Sequence, residues 1–152
     1  PLRRDVEQVQ FAGDERRSGL CTHLGFDETS RAENVRRAAH MARLLNDNAI
    51  HAVVAMVSPA AGARAAAYAT IGLQRCKEIF VSTPQQVCEQ RDPKGLYARA
   101  RATQVEQMTG VQAYYEKPLT PWLSIDTSAT NVPLAIPQML ACRNTHPHPL
   151  HE

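Results

Sequence analysis

AIHAVVAMVSP (residues 49–59) is apolar at every position from Ala49 to Val57 except His51, and it stops at Ser58-Pro59. An unalternated, valine-rich run of this length predicts a strand buried on both faces, as in a parallel sheet covered by helices. Just upstream, SRAENVRRAAHMARLLND (30–47) sets Val35, Ala38, Ala39, Ala42 and Leu45 at helical spacing. Ser30 and Glu33 predict a capping box at its start. Further upstream, VEQVQFAG (6–13) alternates apolar and polar residues and ends at glycine, which predicts another strand. Strand, helix and strand in this order predict parallel pairing, because a crossover helix is what such pairing needs.

Outward from this unit the alternation continues. Residues 15–22 predict a short helix, and an alanine-rich helix follows at 61–71. EIFVS (78–82) predicts a second buried strand, stopped by Thr83-Pro84. PQQVCEQR (84–91) predicts a helix with proline in its first turn. Residues 95–108 predict a helix before Gly110, WLSID (122–126) a short strand, and 132–142 a terminal helix. The expected class is α/β, as one domain over residues 1–143 with no break and a disordered tail at 144–152.

Composition narrows the function. The chain has 152 residues and a net charge of +2, too small to point to nucleic acid or a membrane surface. Its cysteines, Cys21, Cys76, Cys88 and Cys142, show no C-x-x-C spacing, which argues against a metal site or a disulfide framework. No signal peptide or long apolar run is present, so a cytoplasmic protein is expected. Lysine occurs only at 77, 94 and 117; the other basic residues are arginines, whose planar fork suits phosphate, sulfate or carboxylate.

In open parallel sheets ligands sit at the carboxyl ends of the strands. Asp14, Ser58 and Thr83 each follow a predicted strand, and the 30–47 helix begins on the same side with Arg31 in its first turn. Each residue alone is as well explained by a cap or a turn. Their convergence on one edge points to an anion-binding site.

The segments GDERRSGLCTHLGFDETSRAENVRR (13–37), VSP (57–59), STPQQVCEQRDPKGLYARAR (82–101) and TGVQAYYEKP (109–118) resemble, in order and spacing, the adenylylsulfate kinase (APS kinase) family. Its approximate patterns are D-G-D-x-x-R-x-G-L, L-G-F-x-x-x-x-R-x-E-N, F-I-S-P, D-T-P-x-x-V-C-E-x-R-D-P-K-G-L-Y and F-T-G-I. The resemblance runs from about residue 9 to residue 127. It implies a three-layer, P-loop kinase-like fold with a mostly parallel sheet. It also implies transfer of the ATP γ-phosphoryl group to the 3′-hydroxyl of adenylylsulfate (APS), giving PAPS, with ATP and Mg²⁺ taking part. By the same resemblance Asp14 stands near the 3′-hydroxyl and Mg²⁺, and Arg17 and Arg31 hold the phosphosulfate. Phe26 stacks on adenine, Asn34, Val57 and Ser58 contact substrate, and Lys94 and Met108 lie in a lid over the nucleotides. Ser58 is also a proposed transient phosphate carrier, although simple positioning is preferred here. Taken alone, Phe26 suits a core or hinge-plug role and Lys94 a solvated surface position. The family is usually dimeric, and association with an ATP sulfurylase partner is compatible with it.

The P-loop pattern G-x-x-x-x-G-K-[ST] does not occur in these residues. The resemblance places it upstream of the Asp14 block, so the first strand, the P-loop and most of the following helix are expected to be missing. That strand would lie between those predicted at 49–57 and 78–82. Ala12, Ala61, Ala63, Met108 and Gln112 also depart from the family pattern, replacing Asp, Arg, Asp, Phe and Asp. They motivate an alternative, a non-catalytic domain that binds APS or PAPS.

Overall fold

The computed structural model describes residues 8–12, 19–102, 108–109 and 113–144. The chain divides into two compact units, Pro1–Gly72 and Leu73–Glu152.

The first unit is a parallel βαβ with an added helix. Strand β1 (Gln8–Ala12) pairs in parallel with β2 (His51–Ala55), in a register that sets Val9 beside Ala52. The crossover is helix α1 (Glu28–Asp47), whose 20 residues give a rod about 30 Å long at 1.5 Å per residue. Helix α2 (Ala61–Ile71) packs on α1, and α1 packs on β2. The core is built from small residues: Val35, Ala38, Ala39 and Ala42 are buried along one stripe of α1. Alanines at this spacing let backbones approach closely. Helix α2 ends at Gly72, whose φ of 98° lies in the left-handed region that favours glycine, and the Gly72 N–H donates to the Tyr68 carbonyl at 2.8 Å.

Three expectations for this unit need correction. The N-cap of α1 is Asp27, not Ser30. Its carboxylate accepts the Ser30 N–H at 2.9 Å and the Ser30 hydroxyl at 2.5 Å, so Ser30 lies inside the helix as its third residue. Glu33 does not reach back to a cap but turns forward to Arg36 and Arg37. Strand β2 is not buried on both faces. His51, Val53 and Ala55 are exposed while Ala52 and Val54 are half-buried, so the strand alternates in exposure although its sequence does not. In the 15–22 segment, the described residues 19–22 form turns rather than a helix, with Cys21 buried among them.

The second unit repeats the parallel arrangement on a smaller scale. Strand β3 (Ile79–Val81) pairs in parallel with β4 (Leu123–Ile125), and Ile125 is buried. Helices α3 (Gln85–Arg91) and α4 (Leu96–Arg101) lie between them in sequence, and α5 (Val132–Asn144) follows. The helix expected over 95–108 is confined, among the described residues, to α4. Phe80 and Tyr115 stack with ring centroids 5.9 Å apart. The expected tail beyond Asn144 lies outside the described residues. Both strand pairs are parallel and both carry helical crossovers, so the chain is α/β as its sequence predicted.

Candidate active site

In the first unit the topology brings Phe26, Arg31, Val57 and Ser58 to one edge. Parallel pairing puts the carboxyl ends of β1 and β2 together, and the crossover helix must begin at that same edge. Phe26 precedes α1, Arg31 lies in its first turns, and Val57 and Ser58 follow β2. Asp14 and Arg17 lie outside the described residues.

Phe26 and Arg31 are directly coupled. Arg31 Nε donates to the Phe26 carbonyl at 2.7 Å, and its guanidinium carbon lies 5.7 Å from the centroid of the Phe26 ring. Phe26 keeps 53% of its surface exposed, which excludes the core-plug role. An exposed ring with a guanidinium beside it offers a flat face and a positive charge to one ligand. Asn34, one further turn along α1, is buried at 6% exposure.

Ser58 has φ of 44°, a left-handed conformation that costs a non-glycine residue about 1–2 kcal/mol. Arg64, in the first turns of α2, holds it there. Its Nη1 donates to the Ser58 carbonyl at 2.7 Å and to the Pro59 carbonyl at 3.2 Å. A strained residue clamped at the carboxyl end of a strand is a common feature of functional sites. Val57 beside it is 54% exposed.

A second arginine cluster ties the Gly19–His23 turns to α1. Arg37 donates from Nε to Glu33 at 2.7 Å and from Nη1 to the Leu20 carbonyl at 2.6 Å, and its Nη2 lies 2.9 Å from His23 Nε2. Hydrogen bonds from Arg36 and then Arg37 hold the Glu33 carboxyl down at about 2. The sequence signal for this cluster was the Glu33-to-Arg37 spacing of one helical turn, which its reading as a cap obscured.

Lys94 and Met108 belong to the second unit, and their placement relative to the first is not described. Lys94 is exposed in the Asp92–Gly95 turn, and Met108 is half-buried. Gly95 takes φ of 61°, and its N–H donates to the Asp92 carbonyl at 2.9 Å. The Asp92 carboxylate then caps α4, accepting the Tyr97 N–H at 3.2 Å and the Ala98 N–H at 3.0 Å. Desolvation pushes this carboxyl up, but the backbone donors together outweigh it and leave it below the usual range. Thr83 and Thr127 follow β3 and β4, so they share the carboxyl edge of that pair. Among the described residues no group of three His, Cys, Asp or Glu could hold a metal ion. The expected Mg²⁺ neighbour, Asp14, is not among them.

Comparison with known proteins gives this arrangement its family. The family model for adenylylsulphate kinase matches residues 2–126. The adenylyl-sulfate kinase of Pseudomonas aeruginosa is 39% identical over 134 residues, covering 88% of this chain and 68% of that protein. The adenylyl-sulfate kinase of Bacteroides thetaiotaomicron is 42% identical over 128 residues, covering 84% of this chain and 64% of that one. The chain thus spans about two thirds of the length of these relatives. The solved structure of the Mycobacterium tuberculosis APS kinase CysC in complex with AMPPNP and APS superposes with a TM-score of 0.86 at 36% identity, over 92% of this chain and 82% of that one. The fold is therefore that of the P-loop kinases, and the chain belongs to the adenylylsulphate kinase family.

Proposed function

We propose that the protein transfers the γ-phosphoryl group of ATP to the 3′-hydroxyl of APS, forming PAPS and ADP. The 3′-oxygen attacks the γ-phosphorus, the bond to the β,γ-bridging oxygen breaks, and the hydroxyl proton passes to Asp14. ATP enters as its Mg²⁺ complex, and Asp14 is the residue of this chain proposed to face the ion. Arg17 and Arg31 grip the phosphosulfate, Phe26 covers the adenine, and Asn34, Val57 and Ser58 shape the substrate side. Lys94 and Met108 cover the nucleotides. Such chemistry asks the protein mainly for positioning and charge neutralisation.

The observation that carries this reading is the Phe26–Arg31 pair at the carboxyl edge of the first unit. A guanidinium fixed 5.7 Å from the centre of an exposed ring suits a ligand that is both aromatic and anionic, and APS is both. Among the described residues no helix is long and apolar enough to cross a membrane; a cytoplasmic location is part of the proposal.

A second reading has its own support. Ala61 and Ala63 open α2 where the family pattern has Arg and Asp. On that reading the chain binds APS or PAPS without turnover. One experiment separates the two. The chain is incubated with APS and ATP labelled in the γ-phosphate, and APS binding is followed in parallel by calorimetry. Label recovered in PAPS supports the kinase; APS binding without transfer supports the binding domain. No binding by a cooperatively folded sample removes both.

A further inference from the structure

We propose that Arg91 is a positioning residue that fixes the turn bearing Lys94 to the carboxyl edge of the β3–β4 pair. This rests on the reading that Lys94 covers bound nucleotide.

The clamp begins where the strands end. The Ser82 N–H donates to the Ile125 carbonyl at 2.8 Å, extending the pairing past β3. One residue further, Thr83 Oγ1 and Thr127 Oγ1 lie 2.6 Å apart, and the Thr127 N–H donates to Thr83 Oγ1 at 3.0 Å. Arg91 closes on this pair with both prongs of its fork. Nη1 donates to Thr127 Oγ1 and Nη2 to the Thr127 carbonyl, each at 2.8 Å. Thr127 Oγ1 accepts from Arg91 and Thr83 Oγ1 accepts the Thr127 N–H, and either hydroxyl can donate across the pair without conflict.

From Arg91 the linkage runs to Lys94 through a closed turn. The Asp92 N–H donates to the Cys88 carbonyl at 3.0 Å, and the Asp92 carbonyl accepts the Gly95 N–H at 2.9 Å. The Asp92 carboxylate holds the Tyr97 and Ala98 amides. Pro93 fixes its own φ. Arg99 Nη2 lies 3.5 Å from the Lys94 carbonyl. Lys94 therefore sits on a backbone with few free torsions, rooted one residue away from the clamp. The two prongs are what a lysine could not supply at position 91, since its ammonium is a point donor on a flexible stem.

The test is a double-mutant cycle on AMPPNP affinity, measured by calorimetry, with amide hydrogen exchange on the ligand-free chain. Lys94→Ala is expected to weaken AMPPNP about tenfold, the worth of one charged hydrogen bond. Arg91→Lys should weaken it similarly in the parent chain and by less than about twofold in the Lys94→Ala background, because coupled residues are not additive. Thr127→Ser should behave as the parent, and Thr127→Val as a weaker form of Arg91→Lys. In exchange, Arg91→Lys should speed the Gly95, Tyr97 and Ala98 amides about tenfold, the loss of one charged hydrogen bond, while α1 amides are unchanged. An Arg91→Lys effect of equal size in both backgrounds overturns the proposal, and so does unchanged exchange at those amides. If the parent chain binds no AMPPNP, the reading of Lys94 falls and exchange alone decides the clamp.

Discussion

At the scale of the residue, Ser58 joins a strained backbone to the substrate-contacting role proposed for it. Its φ of 44° is held by Arg64 through two carbonyl oxygens, so the conformation is imposed by α2 rather than chosen by serine. Glycine at this position would relieve about 1–2 kcal/mol of strain and add back roughly 0.5–1 kcal/mol of unfolded-chain entropy. Ser58→Gly is therefore expected to leave the melting temperature near the parent value or slightly above it. The same change removes the hydroxyl, so APS affinity should fall while stability does not. Ser58→Ala is the matched control, keeping the strain and losing only the oxygen. Calorimetry and thermal melting of both variants check this. A large drop in stability for Ser58→Gly would show that the left-handed turn is not the source of strain.

At the scale of the element, α1 carries the first unit. Val35 is 4% exposed between Ala38 and Ala39, whose lack of bulk leaves little to collapse into a vacated space. Val35→Ala should cost about 2 kcal/mol, two methyl groups plus part of a cavity. Leu44→Ala, at a position 65% exposed, should stay within about 0.5 kcal/mol of the parent. Chemical denaturation of the pair gives both values; equal losses would mean that the stripe is not the core. This stripe was legible in the sequence because its period is fixed by helix geometry. The cap was less so, since Asp27 and Ser30 are both good N-caps three residues apart, and only the observed hydrogen bonds decide between them. The apolar run of β2 misled for a different reason. A strand's sequence shows that a face can be buried, but what covers it lies elsewhere in the chain, and Val53 remains 43% exposed. The Phe26–Arg31 contact was half legible, because the family pattern named both residues but not the bond to the Phe26 carbonyl. The Arg91–Thr127 clamp spans 36 residues and joins a side chain to a backbone oxygen, a contact with no sequence period to announce it.

At the scale of the whole molecule, stability should be bounded by lowered carboxyls on the acid side, Glu33 above all, and by a raised thiol on the alkaline side. In the first unit the Glu33 carboxyl is held at about 2 by Arg36 and Arg37, against 4.5 ordinarily. The unfolded chain therefore takes up a proton first as pH falls, so the contribution of Glu33 is present above about 4.5 and is lost towards 2. The Glu33 side chain is partly exposed, so added salt should weaken this limb without abolishing it. In the second unit, burial and then the charge of Glu78 push the Cys76 thiol from 9.0 up to about 11. Between these values the unfolded chain releases a proton that the folded chain keeps, so stability falls as pH rises and levels off above about 11. The span from 9.0 to about 11 corresponds to at most about 3 kcal/mol. Tyr97, raised chiefly by desolvation, adds a loss of the same sign that begins above its ordinary 10.0. Cys76→Ala should therefore remove only the portion that starts at 9, leaving a residual slope from Tyr97 at higher pH. Trp122, the single tryptophan, lies in the same unit as Cys76, so denaturation followed by its fluorescence reads the alkaline limb directly. Glu33→Gln should reduce the acid limb to what the lowered carboxyls of Asp27, Asp92 and Asp126 still supply, and leave the alkaline one unchanged. An alkaline slope that persists from pH 9 in Cys76→Ala would assign the loss to another group and show that the thiol is not the buried acid of this unit.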